Sequence, residues 1–340
     1  MRKIVLILLK KDILIGKFCK NWNVSSCFGG GAMKNGDVRI VSLIPSGTEI
    51  LATLGLTNMI VGRSHECDYP PEIEHLPVCT AARLQVNAES GKIHDQVNDI
   101  LQSALSIYQI KTDILEQLQP THILTQDQCD VCAVSLPEVE KAVASLVASS
   151  PEIISLQPNL LEDVWHDIEH VAQVFGVDSV QVLENLEARV KICQQKVQGL
   201  SLNELPTVAC IEWTEPLMVA ANWIPELVNL AGGQSLFCSA GQSSPHLEWE
   251  TLIASNPDVI IFMPCGFDLQ RTRQEAQAVT QRPEWQQLHA TQTGRVYITD
   301  GNAYFNRPGP RLADSLEILA EILHSEIFEY GYKDTAWAVL

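Results

Sequence analysis

Two stretches of this 340-residue chain, from about residue 37 to 157 and from about 205 to 330, run through the same order of apolar runs and breaks, weak in identity but regular in pattern. Each opens on a short apolar run with β-branched residues, R-I-V-S-L-I (39–44) and T-V-A-C-I-E (207–212), followed by a turn. Such runs read as strands of a parallel sheet buried on both faces. Each half then carries a helix that stops at glycine, S-G-T-E-I-L-A-T-L-G and W-I-P-E-L-V-N-L-A-G-G, with Gly55 and Gly232 suited to the left-handed conformation that ends a helix. Further on, D-I-L-E-Q-L-Q-P-T-H-I-L-T-Q-D-Q-C (113–129) matches E-T-L-I-A-S-N-P-D-V-I-I-F-M-P-C (250–265), both reading helix, proline, strand, loop, cysteine. A last strand and helix closes each half.

Strands alternating with helices imply parallel sheets with both faces covered, and so an α/β chain of two Rossmann-like lobes. Between the halves, residues 179–198 read as one helix without Gly or Pro, capped by Asp178 or Ser179. At 1.5 Å per residue it spans about 30 Å, enough to brace both lobes. The expected organisation is a leader over 1–36, an N-terminal α/β lobe over 37–178, a linking helix over 179–198, a C-terminal α/β lobe over 199–330 and a tail over 331–340.

With 46% apolar and 19% charged residues the chain can bury a large core, which excludes a disordered chain or a coiled coil. Its formal charge of −18 makes phosphate backbones and anionic lipid repulsive, so nucleic acid is not an expected partner. Ten scattered cysteines suit a reducing compartment. The start, M-R-K-I-V-L-I-L-L-K-K, is basic and then apolar, but Lys10 and Lys11 break the run before it reaches signal length. Val24-Ser25-Ser26-Cys27 has the shape of a lipoprotein cleavage box, with Lys17 and Lys20 where apolar residues are needed; the alternative is that Met33 is the natural start. No other segment approaches a membrane span, and direct membrane insertion is not expected.

Ligands of parallel α/β sheets sit beyond the carboxyl ends of the strands. In the first half those ends carry Pro45, Ser46 and Thr48, then His65 and Glu66, then Asp127, Cys129 and Cys132. In the second half they carry Trp213, Pro264 and Phe267, then Tyr304, Phe305 and Arg307. Aromatics, amides and a guanidinium suit a large, flat, partly apolar ligand held between two lobes.

The order S-x-x-P-S-x-T-E, D-Y-P-P (68–71) and P-G-P-R (308–311), within a similarity spanning about residues 38–325, resembles the cobalamin-binding proteins of ABC importers. The resemblance implies a class III periplasmic-binding-protein-like fold with a stiff interlobe helix, little hinge motion, and a corrinoid or similar metal chelate bound in the cleft of a monomer. It also implies one carboxylate at each lobe tip that docks on membrane subunits of the importer, falling here on Asp113 and Glu250. Both stand at the same interval before their repeat proline, Pro120 and Pro257, though first-turn acids also act simply as partners of a helix dipole. The family further implies a periplasmic or lipid-anchored location, against the cytoplasmic one suggested by the cysteines. Two expected aromatics are missing, with Ala81 and Ser244 in their places.

Cys129 and Cys132 form a C-x-x-C without the second pair that a closed zinc site needs. Three readings stay open: packing in the cleft wall, a redox thiol near a capping box Ser135-x-x-Glu138, and approach of His65, Cys129 or Cys132 to the axial face of a bound cobalt. His166 and His170, four apart on a helix, read as a solvated face. The chain has no Gly-rich phosphate loop, G-x-S-x-G or H-E-x-x-H, and hence no evident catalytic nucleophile. The expected function is a non-enzymatic carrier that captures cobalamin or a similar chelate for an ABC importer. The alternatives are a cytosolic cobalamin or haem carrier and a thiol-dependent redox enzyme on the same scaffold.

Overall fold

The computed structural model describes residues 38–103, 106–128, 133–200 and 205–340. The leader, Cys129 and Cys132 lie outside them. Six strands belong to the first lobe: β1 (Ile40–Ser42), β2 (Ile60–Arg63), β3 (Thr80–Ala82), β4 (Tyr108–Ile110), β5 (His122–Gln126) and β6 (Glu152–Leu156). Four of them form one parallel sheet in the order β2-β1-β5-β6, with Ile40 opposite both Ile60 and His122. β3 and β4 pair antiparallel in a separate ribbon.

The second lobe contributes β7 (Thr207–Thr214), β8 (Leu217–Val219), β9 (Gln234–Ser235), β10 (Val259–Phe262), β11 (Val296–Thr299) and β12 (Trp337–Val339). The path is β12-β11-β10-β7-β8, with β9 also on β7. Its centre is parallel as expected, while β8 and β12 are antiparallel edges. The last ten residues, read from the sequence as a tail, therefore supply a strand: Trp337 is buried and its Nε1 donates to Glu321 at 2.8 Å.

Alternation along the strands sends side chains to opposite faces, and this divides the core. Val41 and Ile123 face the outer helices of the first lobe, and Ala209, Ile211 and Phe262 those of the second. Ile40, Leu124 and Ile154 instead join Val208, Cys210 and Ile261 in one continuous apolar cluster that runs through both lobes. The linking helix, Val180–Val197, adds Leu186 and Cys193 to that cluster. Its first turn is held by Asp178, whose carboxylate accepts from the Val180 N–H at 2.9 Å, and Ser179 makes no side-chain cap. Arg189 ties it to the helix Leu312–Leu323 through Asp314 and Glu317. Helices end at Gly55 (φ 76°) and just before Gly232 (φ 81°), as the repeat predicts. A Cβ on Gly232 would stand 2.9 Å from Val197, so the small residue also lets the linking helix end close by.

Candidate functional site

Loops that follow the strands of the two sheets meet, Asp68 reaching Asn302 and Arg307, and the loop after β2 forms one wall. Arg63 donates to the carbonyls of Ser64, Cys67 and Glu74, at 3.1, 2.9 and 2.8 Å. From inside, the Thr48 hydroxyl sits 3.1 Å from the Cys67 sulfur and 2.9 Å from Ser42 Oγ. Thr48 is fully buried and supports the loop from behind instead of lining the cleft. The loop presents His65, Glu66, Asp68 and Tyr69. Opposite it, the loop after β11 is folded by Asp300, which accepts from the N–H groups of Asn302 and Ala303, and by Asn306, which donates to Met263 and Gly301.

Buried charges tie these walls together. Arg307, only 6% exposed, crosses to Asp68 with two bonds and to Glu49 at 3.5 Å, and donates to Asn302 of its own loop at 3.0 Å. Arg311 grips Glu49, with Nε donating at 3.0 Å. Two guanidiniums against two carboxylates leave the cluster neutral, which is what makes burying it tolerable. Burial pushes the Glu49 carboxyl up while both arginines pull it down. Partial burial also works against Asp68, but Arg307 holds it below the usual carboxylate range. Ser46 packs against Gly309 beside this cluster.

Glu66 and His65 lie next to it. Burial raises the Glu66 carboxyl to about 7, although the Tyr108 hydroxyl donates to it at 3.2 Å and Arg307 is near. His65 Nδ1 is 2.7 Å from Thr80 Oγ1, while Nε2 has no hydrogen-bond partner and stands 3.9 Å from Glu66. Burial and the charges of Lys111 and Arg63 keep the imidazole pKa low. Among the described residues no three His, Cys, Asp or Glu side chains are grouped to hold a metal ion.

Aromatic surface stands on both walls. Trp213 packs on Phe267 with ring centres 5.2 Å apart, and Arg271 lies 3.8 Å over Phe267. Tyr69 and Tyr304 flank Arg311 at 4.2 and 5.4 Å. Phe305 is elsewhere. It is fully buried in the shared core with φ 65°, its carbonyl accepting from Trp223 Nε1 at 2.6 Å and its N–H donating to Ser315. Pro264 is buried under Gly301, and Pro45 starts the helix Pro45–Thr53. Asp127 is exposed and accepts from Gln157 at 3.0 Å. Asp113 and Glu250 are exposed in the first turns of the matched helices Thr112–Leu118 and Trp249–Ser255.

Sequence reasoning passed over Glu49, Tyr69, Tyr108, Arg271 and Arg311. Glu49, Tyr69 and Arg311 lie inside the quoted motifs, so the signal was present and only their roles were not. Of the six described thiols, Cys67, Cys79, Cys193 and Cys210 are buried, burial pushing Cys79 up to about 12, which leaves these four unreactive, while Cys238 and Cys265 are partly exposed.

The profile of the family described as periplasmic binding protein matches residues 40–303, and the chain belongs to that family: it is a substrate-binding protein and not an enzyme. It is 24% identical over 297 residues to an uncharacterized ABC transporter substrate-binding lipoprotein of Bacillus subtilis, covering 86% of this chain and 81% of the relative. It is 22% identical to a vitamin B12-binding protein of Vibrio parahaemolyticus, covering 84% and 90%. Among solved structures, a periplasmic heme-binding protein from Roseiflexus superposes with a TM-score of 0.63 at 22% identity, covering 85% of this chain and 98% of that one.

Proposed function

We propose that this protein captures a metal chelate of the corrinoid class, cobalamin or a close relative, in the interlobe cleft and delivers it as a monomer to the membrane subunits of an ABC importer. The observation that carries the reading is aromatic surface from both lobes, Trp213 and Tyr304 from the second and Tyr69 from the first, the two tyrosines flanking Arg311. Flat apolar faces with polar edges suit a macrocycle whose rim carries amides. The vitamin B12-binding relatives support the same ligand class.

Among the described cleft residues Arg63, Arg307 and Arg311 are already committed to protein carbonyls or carboxylates. A ligand with amide side chains asks for no free guanidinium, whereas one with carboxylate arms has to displace Asp68 or Glu49. The test is titration of purified full-length chain with aquocobalamin, haemin and a ferric siderophore, followed by calorimetry and absorbance. Saturable one-to-one binding of aquocobalamin, weakened about tenfold or more by Trp213→Ala, is expected. Binding of haemin alone moves the ligand to a porphyrin; binding of none of the three removes the chelate reading.

A further inference from the structure

Beyond the shared core and the Arg307–Arg311 cluster, the lobes are joined once more, by a part of the first lobe that has no counterpart in the second. β3 and β4 pair only with each other among the described strands, and between them the chain leaves the first sheet for the other lobe. Arg271, lying flat on Phe267, donates to the Val86 carbonyl at 2.6 Å and to that of Ala88. Glu275 accepts from the Ser90 N–H at 3.2 Å, and Ser90 Oγ meets Thr214 Oγ1 at 2.9 Å. Gly91 approaches Glu215 so closely that a Cβ there would stand 2.9 Å from its side chain.

From this geometry we infer that the segment Val86–Gly91 and the helix Ser90–Gln102 form a clasp over the Trp213–Phe267 side of the cleft, seated by Arg271, and that ligand exchange runs through its release. This rests on the cleft being the ligand site. This junction differs in kind from the one along the linking helix. Along the linking helix the lobes share one continuous apolar core, which does not open without unfolding. Against the second lobe the clasp is held by polar contacts, while Val97 and Ile100 of its helix pack on the core of the first lobe. Of its 13-residue helix only Ser90 and Ile93 are buried, and Val86 and Leu101 are 48% and 41% exposed. A junction made by a few hydrogen bonds with no shared apolar core belongs to the low-stability end of a structure and opens locally. The short β3–β4 ribbon gives it a base to swing on. Beneath Arg271 lies Phe267, with Trp213 beside it, an aromatic face that a flat ligand would seek. Arg271 is thus a positioning residue, acting on ligand through the clasp.

Hydrogen exchange on the ligand-free protein and stopped-flow binding of aquocobalamin test it together. Arg271→Ala is expected to speed exchange of residues 86–102 about tenfold, with β1 and β10 unchanged, and to raise association and dissociation rates alike. Arg271→Lys, which keeps one donor, should fall between. In S90C/T214C, the oxidised protein should exchange aquocobalamin more slowly than the same protein after reduction. A uniform rise in exchange across the core, or uptake at an undiminished rate with the cross-link closed, overturns the clasp. The exchange arm needs no ligand, so a protein that binds no corrinoid refutes the ligand class while the clasp itself is still decided by residues 86–102.

Discussion

At the scale of single residues the cleft floor is an electrostatic balance, and its members are not equivalent. Glu49 is 2% exposed and accepts from both Arg307 and Arg311. Removing Arg311 leaves that carboxylate with only the 3.5 Å contact to Arg307, so Arg311→Ala should cost about 3–5 kcal/mol in urea unfolding, and Arg307→Ala less, because Arg311 still grips Glu49 and Asp68 is half exposed. Asp68→Asn should cost about 1.5–3 kcal/mol, because Arg307, 6% exposed, loses its charged partner and keeps Glu49 only at 3.5 Å. Glu66 behaves oppositely, since the Tyr108 hydroxyl and the nearby Arg307 offset its burial only in part. Its folded pKa is raised from 4.5 to about 7, so the folded state holds a proton that the unfolded state releases. The carboxyl is no handicap below pH 4.5, and its penalty grows as pH rises towards 7. Glu66→Gln should therefore gain stability relative to the parent protein between pH 5 and 8, read from denaturant midpoints. A gain that is flat across this window counts against the raised carboxyl. Phe305 shows why a residue's place after a strand does not reveal its role. Only the φ of 65°, enforced by bonds to Trp223 and Ser315, turns its ring from the cleft into the core.

At the scale of elements, what repeated was legible and what did not repeat was not. The matched helices Thr112–Leu118 and Trp249–Ser255 have equal lengths and end at left-handed residues of nearly the same conformation, Gln119 and Asn256. The strands that follow them, β5 and β10, are buried along their whole length, so their apolar runs announced them. The clasp helix has no partner in the other half, and its base strands are three residues each, too short for alternation to show. β12 was hidden for a similar reason: Trp337 alone is buried in it, and its partner Glu321 is sixteen residues away. The Ser135–Glu138 capping box did not form, for Ser135 makes no side-chain cap and Pro137 alone marks that helix start. The linking helix was clear from its unbroken pattern, but its anchorage was not. Arg189→Ala strands Asp314 and Glu317 beside one another and beside Tyr332, and should cost about 2–3 kcal/mol in thermal or urea unfolding. Arg189→Lys should recover only part of it, because one ammonium cannot fork across two carboxylates.

At the scale of the whole molecule, a shared core on one side and a polar clasp on the other make large lobe rotation expensive. The apolar cluster that contains Ile40 and Ile261 would have to be split for the lobes to swing freely. Small-angle scattering should then show nearly the same radius of gyration with and without aquocobalamin, and a large contraction on binding would contradict the shared core. A molecule that changes shape so little must announce itself to a membrane partner mainly through fixed surface features. We propose Asp113 and Glu250 for that part: both are exposed, both occupy the first turn of matched helices, and helices that lead down into a strand begin at the cleft rim. Helix-dipole partners alone would be worth about 0.3–1 kcal/mol each to folding and nothing to an importer. Docking carboxylates do the reverse. Asp113→Lys and Glu250→Lys, singly and together, should leave chelate affinity within about twofold while lowering stimulation of the importer's ATPase, the double variant most and with a strong dependence on salt. Loss of folding stability with undiminished stimulation would return both acids to their helices.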